Sequence, residues 1–550
     1  MRIRGINHPY LDVSLPAWNN LYQLRNFVDN LSDVTASDAD GGPLEVRRVG
    51  SHTWHIKTDA VASLSLRYQV YANEPGDFYS LIDENHAFLN GANIFLYLEQ
   101  HRSVPLRLEV AGLDPVWRIA TGLDQDGSAT AFRAQDYDHL IDCPFEISDF
   151  HKIDFRSHRV DFEIVYHGER GVEEPEKFRS TLEPLVETSF QLMRDVPLKR
   201  YVFIYHFSGG KRGGGMEHRN STAINKPPTL KPITSARNYL GIAGVSAHEF
   251  FHLWNVKRIR PHHYVEPDWT RPIPTPALWF GEGFTSYYGS VILLRSGLHS
   301  PARFFRSMAD RIGGIESRSS HRTLSVEEVS ADAWRYTEPS YLLPENSYSY
   351  YSKGAVLAFL ADLKIRSETK GRRSLDDVMR FLNWFYAKPG KGFEPEDLPR
   401  VFSSVCGCDF SEFFKNYVSG TEALPYQEYL ALAGLELVRG ERTAADFGFE
   451  ASSNHGEPPI VARIDEGSPA AEAGLQLGDV VLSQYRGVKA GEELSLKVLR
   501  GGEEQELNFQ TGKKEILTIQ IGSLEDPSPA QHQVQRGLAE GDREMMSGEQ

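Results

Sequence analysis

The sequence contains little cysteine, no long apolar run and no excess of positive charge. Only three cysteines, Cys143, Cys406 and Cys408, occur in 550 residues. This low, odd number gives no disulfide framework and fits a reducing compartment. Cys406 and Cys408 also lack a second pair of ligands nearby, so we expect no metal role for them. The formal net charge of −16 disfavours nucleic acid as a partner.

Membrane and export signals are also missing. No run approaches the roughly 18 apolar residues that a membrane span needs. The first residues carry two arginines but no apolar segment, so we expect no signal peptide and a cytoplasmic location. If the N-terminus was trimmed, a periplasmic or secreted protein would look the same. A chain of 550 residues is too long for one core and predicts three or four domains.

What the sequence does contain is His-Glu-Phe-Phe-His at residues 248–252, an HExxH motif. Apolar residues flank it on both sides at helical spacing, which predicts a helix. Positions i and i+4 of a helix share a face, so His248 and His252 can bind one metal ion. Glu249 lies beside them, where it can accept a proton from a water molecule.

A third metal ligand is needed. Asn255 and Arg258 exclude the HExxHxxGxxH pattern. Glu282 lies in an aromatic segment that predicts a second helix, and it can complete a His, His, Glu site with one open position. His262 and His263 are rival ligands, but they follow the first helix in a proline-rich loop. We interpret them as structural or solvated residues.

Two further motifs lead to a family resemblance. Residues 213–218 read Gly-Gly-Gly-Met-Glu-His, and residues 350–354 read Tyr-Tyr-Ser-Lys-Gly. Together with HExxH and the later glutamate, they resemble the gluzincin aminopeptidases, such as aminopeptidase N and leukotriene A4 hydrolase, with their G-x-M-E-N and Y-x-K-G motifs. The runs at 248–261 and 282–288 especially resemble the glycyl aminopeptidase family. His218 replaces the final Asn of the first motif, which favours the glycyl branch.

The resemblance implies an activity and a role for each motif residue. It implies a zinc-dependent aminopeptidase with one zinc ion per chain, acting on peptides with a free N-terminus and preferring small residues such as Gly or Ala. Tyr351 would stabilise the oxyanion, although it could instead be a buried aromatic near a helix start. Glu217 would bind the α-amine, although it could instead be a solvated loop charge. Gly214 and Gly215 would contact the substrate backbone.

The resemblance also implies a multidomain α+β fold of four units. The alternation of apolar and polar residues over 64–71 independently predicts strands near the N-terminus. Apolar spacing of three and four residues over 354–365, 375–387 and 410–418 predicts helices. We expect an N-terminal β-sandwich (1–168), a thermolysin-like α/β catalytic domain (169–325), an α-helical domain (326–438), a reduced PDZ-like β domain (439–515) and a disordered tail (523–550).

The PDZ-like segment lacks one piece of the usual pattern. Phe447, Gly448 and Phe449 could form a loop that binds a peptide carboxylate. Between Leu482 and Leu494, however, too few residues remain for a strand, a helix and their connections. We therefore expect the helix that forms one wall of the peptide groove to be missing.

Two other functions stay open at this point. The same metal site could serve another zinc hydrolase, either an endopeptidase or an epoxide hydrolase. Alternatively, the chain could be a peptide-binding protein with a mainly structural metal, but the presence of Glu249 argues against this reading, because a structural site needs no general base. The sequence gives neither the preferred residue, nor the physiological substrate, nor the oligomeric state.

Overall fold

The computed structural model describes most of the chain. The described residues are 1–19, 24–59, 61–168, 172, 174–207, 214–226, 236–335, 347–452, 459–485 and 487–541. Within this part, none of the helices combines the length and apolar character needed to cross a membrane.

The N-terminal region is made of short antiparallel strands. They form four sheets, with the orders β1-β7-β3-β4, β2-β6-β5, β11-β14-β9-β8 and β10-β13-β12, and inward-facing side chains such as Leu64 and Leu66 share one apolar core. The strands are β1 Arg2–Arg4, β2 Tyr10–Ser14, β3 Leu31–Asp38, β4 Pro43–Leu44, β5 Val46–Arg48, β6 Thr53–Lys57, β7 Ser63–Val70, β8 Leu81–Ile82, β9 His86–Leu89, β10 Leu106–Glu109, β11 Arg118–Thr121, β12 Asp124–Gln125, β13 Ala131–Ala134 and β14 Phe145–Ser148. Two short helices accompany them, α1 Gly91–Ile94 and α2 Tyr137–Ile141.

The next five strands form one mixed sheet, which corrects the predicted boundary at residue 168. Its order is β15-β16-β17-β19-β18, so the hairpin at 151–167 pairs with the catalytic strands and not with the N-terminal sheets. The N-terminal region therefore ends near residue 150. A local alternation predicts a strand but not its partner. The strands are β15 His151–Ser157, β16 Val160–His167, β17 Arg200–His206, β18 Gly214–Glu217 and β19 Ser221–Asn225.

Helices pack against this sheet and against each other around one continuous core, which runs from residue 155 to residue 538. The catalytic and helical regions therefore share a core and do not separate at residue 325. The helices are α3 Pro175–Met193, α4 Ala236–Phe251, α5 Thr285–Arg295, α6 Pro301–Glu316, α7 Val326–Ala331, α8 Tyr350–Glu368, α9 Leu375–Leu382, α10 Asp397–Cys406, α11 Ser411–Phe413 and α12 Tyr426–Ala431. Three π-helical turns occur at Trp279–Phe284, Asn383–Ala387 and Phe414–Val418. The three helices predicted between residues 354 and 418 are thus present.

The low number of cysteines predicted no disulfide framework, but one disulfide is present. Cys406 and Cys408 form a disulfide at the end of α10. Gly407 lies between them with a φ of 69°, a left-handed conformation that ends the helix and turns the chain back. Cys143 is free and buried.

The C-terminal unit is connected through a two-stranded ribbon. Strands β20 Leu435–Asp446 and β26 Gly512–Ser523 pair along their whole length. Between them lies a five-stranded sheet, β21-β22-β23-β24-β25, together with the single-turn helix α13. These elements are β21 Phe449–Ser452, β22 Ile460–Ile464, α13 Pro469–Glu472, β23 Val480–Val481, β24 Glu493–Arg500 and β25 Glu503–Gln510. Among the described residues of 482–492 there is no helix.

The tail after residue 523 was expected to be disordered, and this is wrong for its first half. Helix α14, Pro529–Glu540, begins with a capping box between Ser528 and Gln531. Its apolar side chains Val534 and Leu538 are 3% and 0% exposed and join the main core. The polar composition predicted disorder, although the segment forms a short amphipathic helix whose two buried apolar residues lie one turn apart. Residues 542–550 lie outside the described part.

Candidate active site

The side chains of His248, His252 and Glu282 converge at one point. The Nε2 atoms of His248 and His252 lie 3.1 Å apart. Glu282 Oε2 lies 3.4 Å from His248 Nε2 and 3.3 Å from His252 Nε2. A tetrahedral zinc ion with bonds of about 2.0–2.1 Å keeps its ligand atoms roughly 3.3 Å apart. The three atoms therefore fit one zinc ion, with a fourth position left open.

Local structure sets these positions. His248 lies in the last turn of α4, and His252 follows the helix with its N–H still donating to His248 O at 3.3 Å. Glu282 lies in the π-helical turn that precedes α5. Such turns are frequent at functional sites, because one extra residue shifts the side chains around the helix. All three ligands are largely removed from solvent, and Glu282 is only 4% exposed.

Asn255 connects the two ligand helices, a role that sequence reasoning missed. Its backbone oxygen accepts from His252 Nδ1 at 2.6 Å, which leaves Nε2 free to bind a metal. Its side-chain Nδ2 donates to the carbonyl oxygens of Phe280 and Gly281, each at 3.0 Å. The sequence analysis used Asn255 only to exclude another motif. Asn255 thus holds His252 through its backbone oxygen and the backbone just before Glu282 through its side-chain amide.

Glu249 faces the sheet directly opposite Gly215. The side chain is 5% exposed, and a Cβ built on Gly215 would lie 2.5 Å from Glu249 Cδ. A larger residue at this position would displace the carboxylate from where it lies. Burial raises the pKa of the Glu249 carboxyl well above its usual range; His252 opposes this rise and Glu217 adds to it.

Glu217 comes to the same place from the edge strand β18. It is 3% exposed, and its Oε1 has no hydrogen-bond partner among the described residues. Its carboxylate lies within 4.8 Å of ligand atoms of both Glu249 and His252. Burial raises the pKa of Glu217, while His252 and Lys257 oppose the rise. It is therefore not the solvated loop charge that was considered as an alternative.

Tyr351 lies at the start of α8, beside the ligand helices. Its ring centroid is 6.3 Å from that of His248, and it stacks on Tyr350 at 4.7 Å. Burial raises the pKa of Tyr351 well above its usual range, so the phenol stays protonated and remains a hydrogen-bond donor. The neighbouring Tyr348 instead donates to Leu324 O and accepts from Lys353 Nζ, away from the ligands.

Of the remaining candidate residues, the fold places His262 and His263 away from the ligand cluster and Gly214 near it. His262 and His263 form a short 3₁₀ turn held against Phe393 through a backbone hydrogen bond of 2.9 Å. Within the described part of the chain, neither joins a cluster of potential ligand atoms. Gly214, by contrast, lies on β18, and a Cβ there would be 3.3 Å from Asp77 Oδ2 of the N-terminal region. No pattern in the sequence pointed to Asp77.

Two regions of the chain match known protein families. Residues 1–149 match the Peptidase M61 N-terminal domain, and residues 241–357 match the M61 glycyl aminopeptidase domain. The chain carries peptidase M61 domains. The first match also ends near residue 150, where the structure places the boundary. The enzyme class that follows is a peptidase, a hydrolase of peptide bonds.

A solved structure resembles the whole chain. The crystal structure of an aminopeptidase N family protein from Idiomarina loihiensis superimposes with a TM-score of 0.82 at 24% identity, covering 97% of this chain and 96% of that one. This likeness supports the overall fold alone.

Curated relatives match over much shorter stretches. Two probable periplasmic serine endoproteases, DegP-like, from Pseudomonas putida strains F1 and GB-1, are 33% and 30% identical over 78 and 97 residues. The chain spans about a sixth to a fifth of these relatives, 16% and 20% of their lengths.

Proposed function

We propose that the protein is a zinc-dependent aminopeptidase that removes single residues from the N-termini of peptides. The proposal depends on the buried carboxylate of Glu217, which lies beside Glu249 and His252. Its Oε1 has no hydrogen-bond partner among the described residues. A buried acceptor without a partner costs about 1–3 kcal/mol, so a ligand cation is expected to fill this place. A peptide α-amine is mostly protonated at neutral pH and suits it.

The metal ligands would be His248, His252 and Glu282, as their mutual distances of 3.1–3.4 Å suit zinc. When bound, zinc supplies a Lewis acid that polarises the scissile carbonyl and lowers the pKa of a water molecule to about 7. Neutral imidazoles and a carboxylate are donors that zinc accepts readily.

The other side chains would handle protons and charge. Glu249 would take the proton from the attacking water and deliver it to the leaving amine. The Tyr351 hydroxyl would donate a hydrogen bond to the carbonyl oxygen as negative charge develops there. Within the described residues, β18 is the last strand of its sheet. Its outer edge would bind the substrate backbone as an added strand, because Gly214 and Gly215 have no side chains to obstruct it.

The preference for a small first residue, such as Gly or Ala, rests on the family likeness. The role of Glu217 can be tested with glycyl and alanyl amides and their N-acetylated counterparts. The parent enzyme should cleave the free-amine substrates at least about 10²-fold faster, since a buried charge-assisted contact is worth about 3 kcal/mol. Glu217→Gln should remove most of this difference, while Glu466→Gln, at an exposed position of the C-terminal unit, should keep it. Equal cleavage of acetylated and free substrates by the parent would instead indicate an endopeptidase.

A further inference from the structure

A second cluster of two histidines and a glutamate lies outside the active site. His86, Glu146 and His206 are 8%, 0% and 4% exposed. Their potential ligand atoms all lie within 4.8 Å of one another. The chemical composition, two imidazoles and one carboxylate, is the same as that of the catalytic trio. The site described above uses none of these three residues.

The cluster joins two parts of the fold. His86 and Glu146 lie on the neighbouring strands β9 and β14 of the N-terminal region, where Ser148 pairs with His86 and Glu146 pairs with Phe88. His206 is the last residue of β17 in the catalytic sheet. The cluster therefore spans the contact between the N-terminal region and the sheet whose edge strand carries Glu217.

Neighbouring polar groups orient the side chains of the cluster in a way that suits a bound cation. Glu146 Oε1 accepts from Ser148 Oγ at 2.7 Å, and its Oε2 lies 2.8 Å from His206 Nε2. The Nδ1 of His86 faces Asp83 Oδ1 at 3.5 Å. A carboxylate on one imidazole nitrogen is the usual support for a histidine that binds metal through the other.

We propose that His86, Glu146 and His206 form a second metal site of the zinc class, which fastens the N-terminal region to the catalytic sheet. Neutral imidazole nitrogens and a carboxylate oxygen are the donors that zinc takes in proteins. A tetrahedral ion needs its ligand atoms roughly 3.3 Å apart, so the widest separation of 4.8 Å must close by about 1.5 Å at most. A completely buried carboxylate requires a compensating positive charge, and the ion would provide it.

The rival occupant is a proton. His206 would then be an imidazolium paired with Glu146, and His86 would be a bystander stacked on His167 at 4.4 Å. The two readings differ in metal content, so they can be separated without any measurement of activity.

Metal content should be measured on the full chain after loading with zinc and desalting. The parent should hold two zinc ions per chain, and the double variant His248→Ala with His252→Ala should keep one. His86→Ala should lower the parent count by one, because it removes an imidazole and leaves the His206–Glu146 contact in place. The matched control is His158→Ala. In the parent, His158 Nε2 lies 2.8 Å from Glu187 Oε2, but His158 belongs to none of the potential metal clusters among the described residues. This control should keep two ions.

A stability measurement adds a second readout. Because a metal that binds only the folded state stabilises it, saturating zinc should raise the melting temperature of the His248→Ala, His252→Ala variant relative to chelator. Adding His86→Ala to that variant should abolish the rise. The proposal is overturned if the double variant retains no metal, or if His86→Ala holds as much zinc as the parent. The first of these outcomes remains decisive even if His86→Ala does not fold.

Discussion

Gly283 and Gly354 touch across two helices, and neither position has room for a side chain. A Cβ on Gly283 would lie 2.5 Å from Gly354 Cα, and a Cβ on Gly354 would collide with Trp279 O. The contact brings the π-helical turn of Glu282 against the first turn of α8, which carries Tyr351. The distance between Glu282 and Tyr351 thus depends on the absence of a side chain at both Gly283 and Gly354.

Gly354→Ala should therefore lower both stability and turnover. Overpacking of this kind costs about 1–3 kcal/mol, and the displaced helix would move Tyr351. Calorimetry and kcat on an alanyl amide would measure the two effects. Gly314→Ala is the matched control, since it lies within helix α6 and its Cβ would meet nothing within 4 Å. That substitution should stabilise the protein by up to about 1 kcal/mol without loss of kcat.

Zinc binding and proton transfer should separate by mutation. Glu249→Gln should retain near-stoichiometric catalytic zinc and lose nearly all turnover, because the ligands stay and the proton acceptor goes. Glu282→Ala should lose the catalytic zinc itself. Metal analysis beside steady-state kinetics would check both. If Glu282→Ala binds zinc there as tightly as the parent, the assignment of Glu282 as a ligand is wrong, and Glu217, whose carboxylate also lies near His252, becomes the candidate.

Asn255→Ala should weaken zinc binding through its neighbours. The substitution removes the amide hydrogen bonds to Phe280 O and Gly281 O, and with them the coupling between His252 and the turn of Glu282. Loss of such supporting contacts typically lowers metal affinity about 10–100-fold. Competition with a chelator would measure it. Asn383→Ala is a control for stability, because it loses a partly buried hydrogen bond to Asp195, 188 residues earlier in the sequence. Comparable zinc loss in both variants would mean that Asn255 acts only through stability.

Tyr351 should act mainly in the transition state. Removing one oxyanion donor typically costs about 10²–10³ in kcat. Tyr351→Phe should therefore lower kcat with little change in KM, and the stacked neighbour variant Tyr350→Phe should be much milder. If Tyr350→Phe lowers kcat and Tyr351→Phe does not, the hydrogen-bond donor is Tyr350.

The sequence predicted the local features and missed those that depend on distant partners. The i, i+4 spacing at the end of α4, where His252 directly follows the helix, was enough to bring His248 and His252 together. Alternation over 64–71 predicted strands near the N-terminus, but the pairing of β16 with β17 depends on the assembled sheet. Asn255 contacts Phe280 and Gly281, and Asp77 contacts Asn225, across long stretches of sequence, and a single sequence shows no such pairing. The C-terminal helix was missed because two apolar residues among polar ones resemble a disordered tail.

The C-terminal sheet should not bind free peptide C-termini in the PDZ manner. Such binding needs a strand edge and an opposing helix, and no helix occurs among the described residues of 482–492. Tyr485, 8% exposed, instead places its ring 5.2 Å from that of Phe447 and 5.0 Å from that of Phe449, over the predicted carboxylate loop. The aromatic ring thus covers the apolar surface that a peptide side chain would need.

Calorimetric titration of the full chain with N-acetylated peptides that have free C-termini can test this, because acetylation keeps the proposed amine site out of the measurement. Affinities should be no tighter than roughly millimolar, about −4 kcal/mol. Tyr485→Ala should uncover the two phenylalanine rings and is the variant in which weak binding could emerge. Gly448 has a φ of 67°, and a Cβ there would collide with Ser468, so Gly448→Ala should disturb the loop. Micromolar binding by the parent that Gly448→Ala abolishes would restore a peptide-recruiting role for this unit.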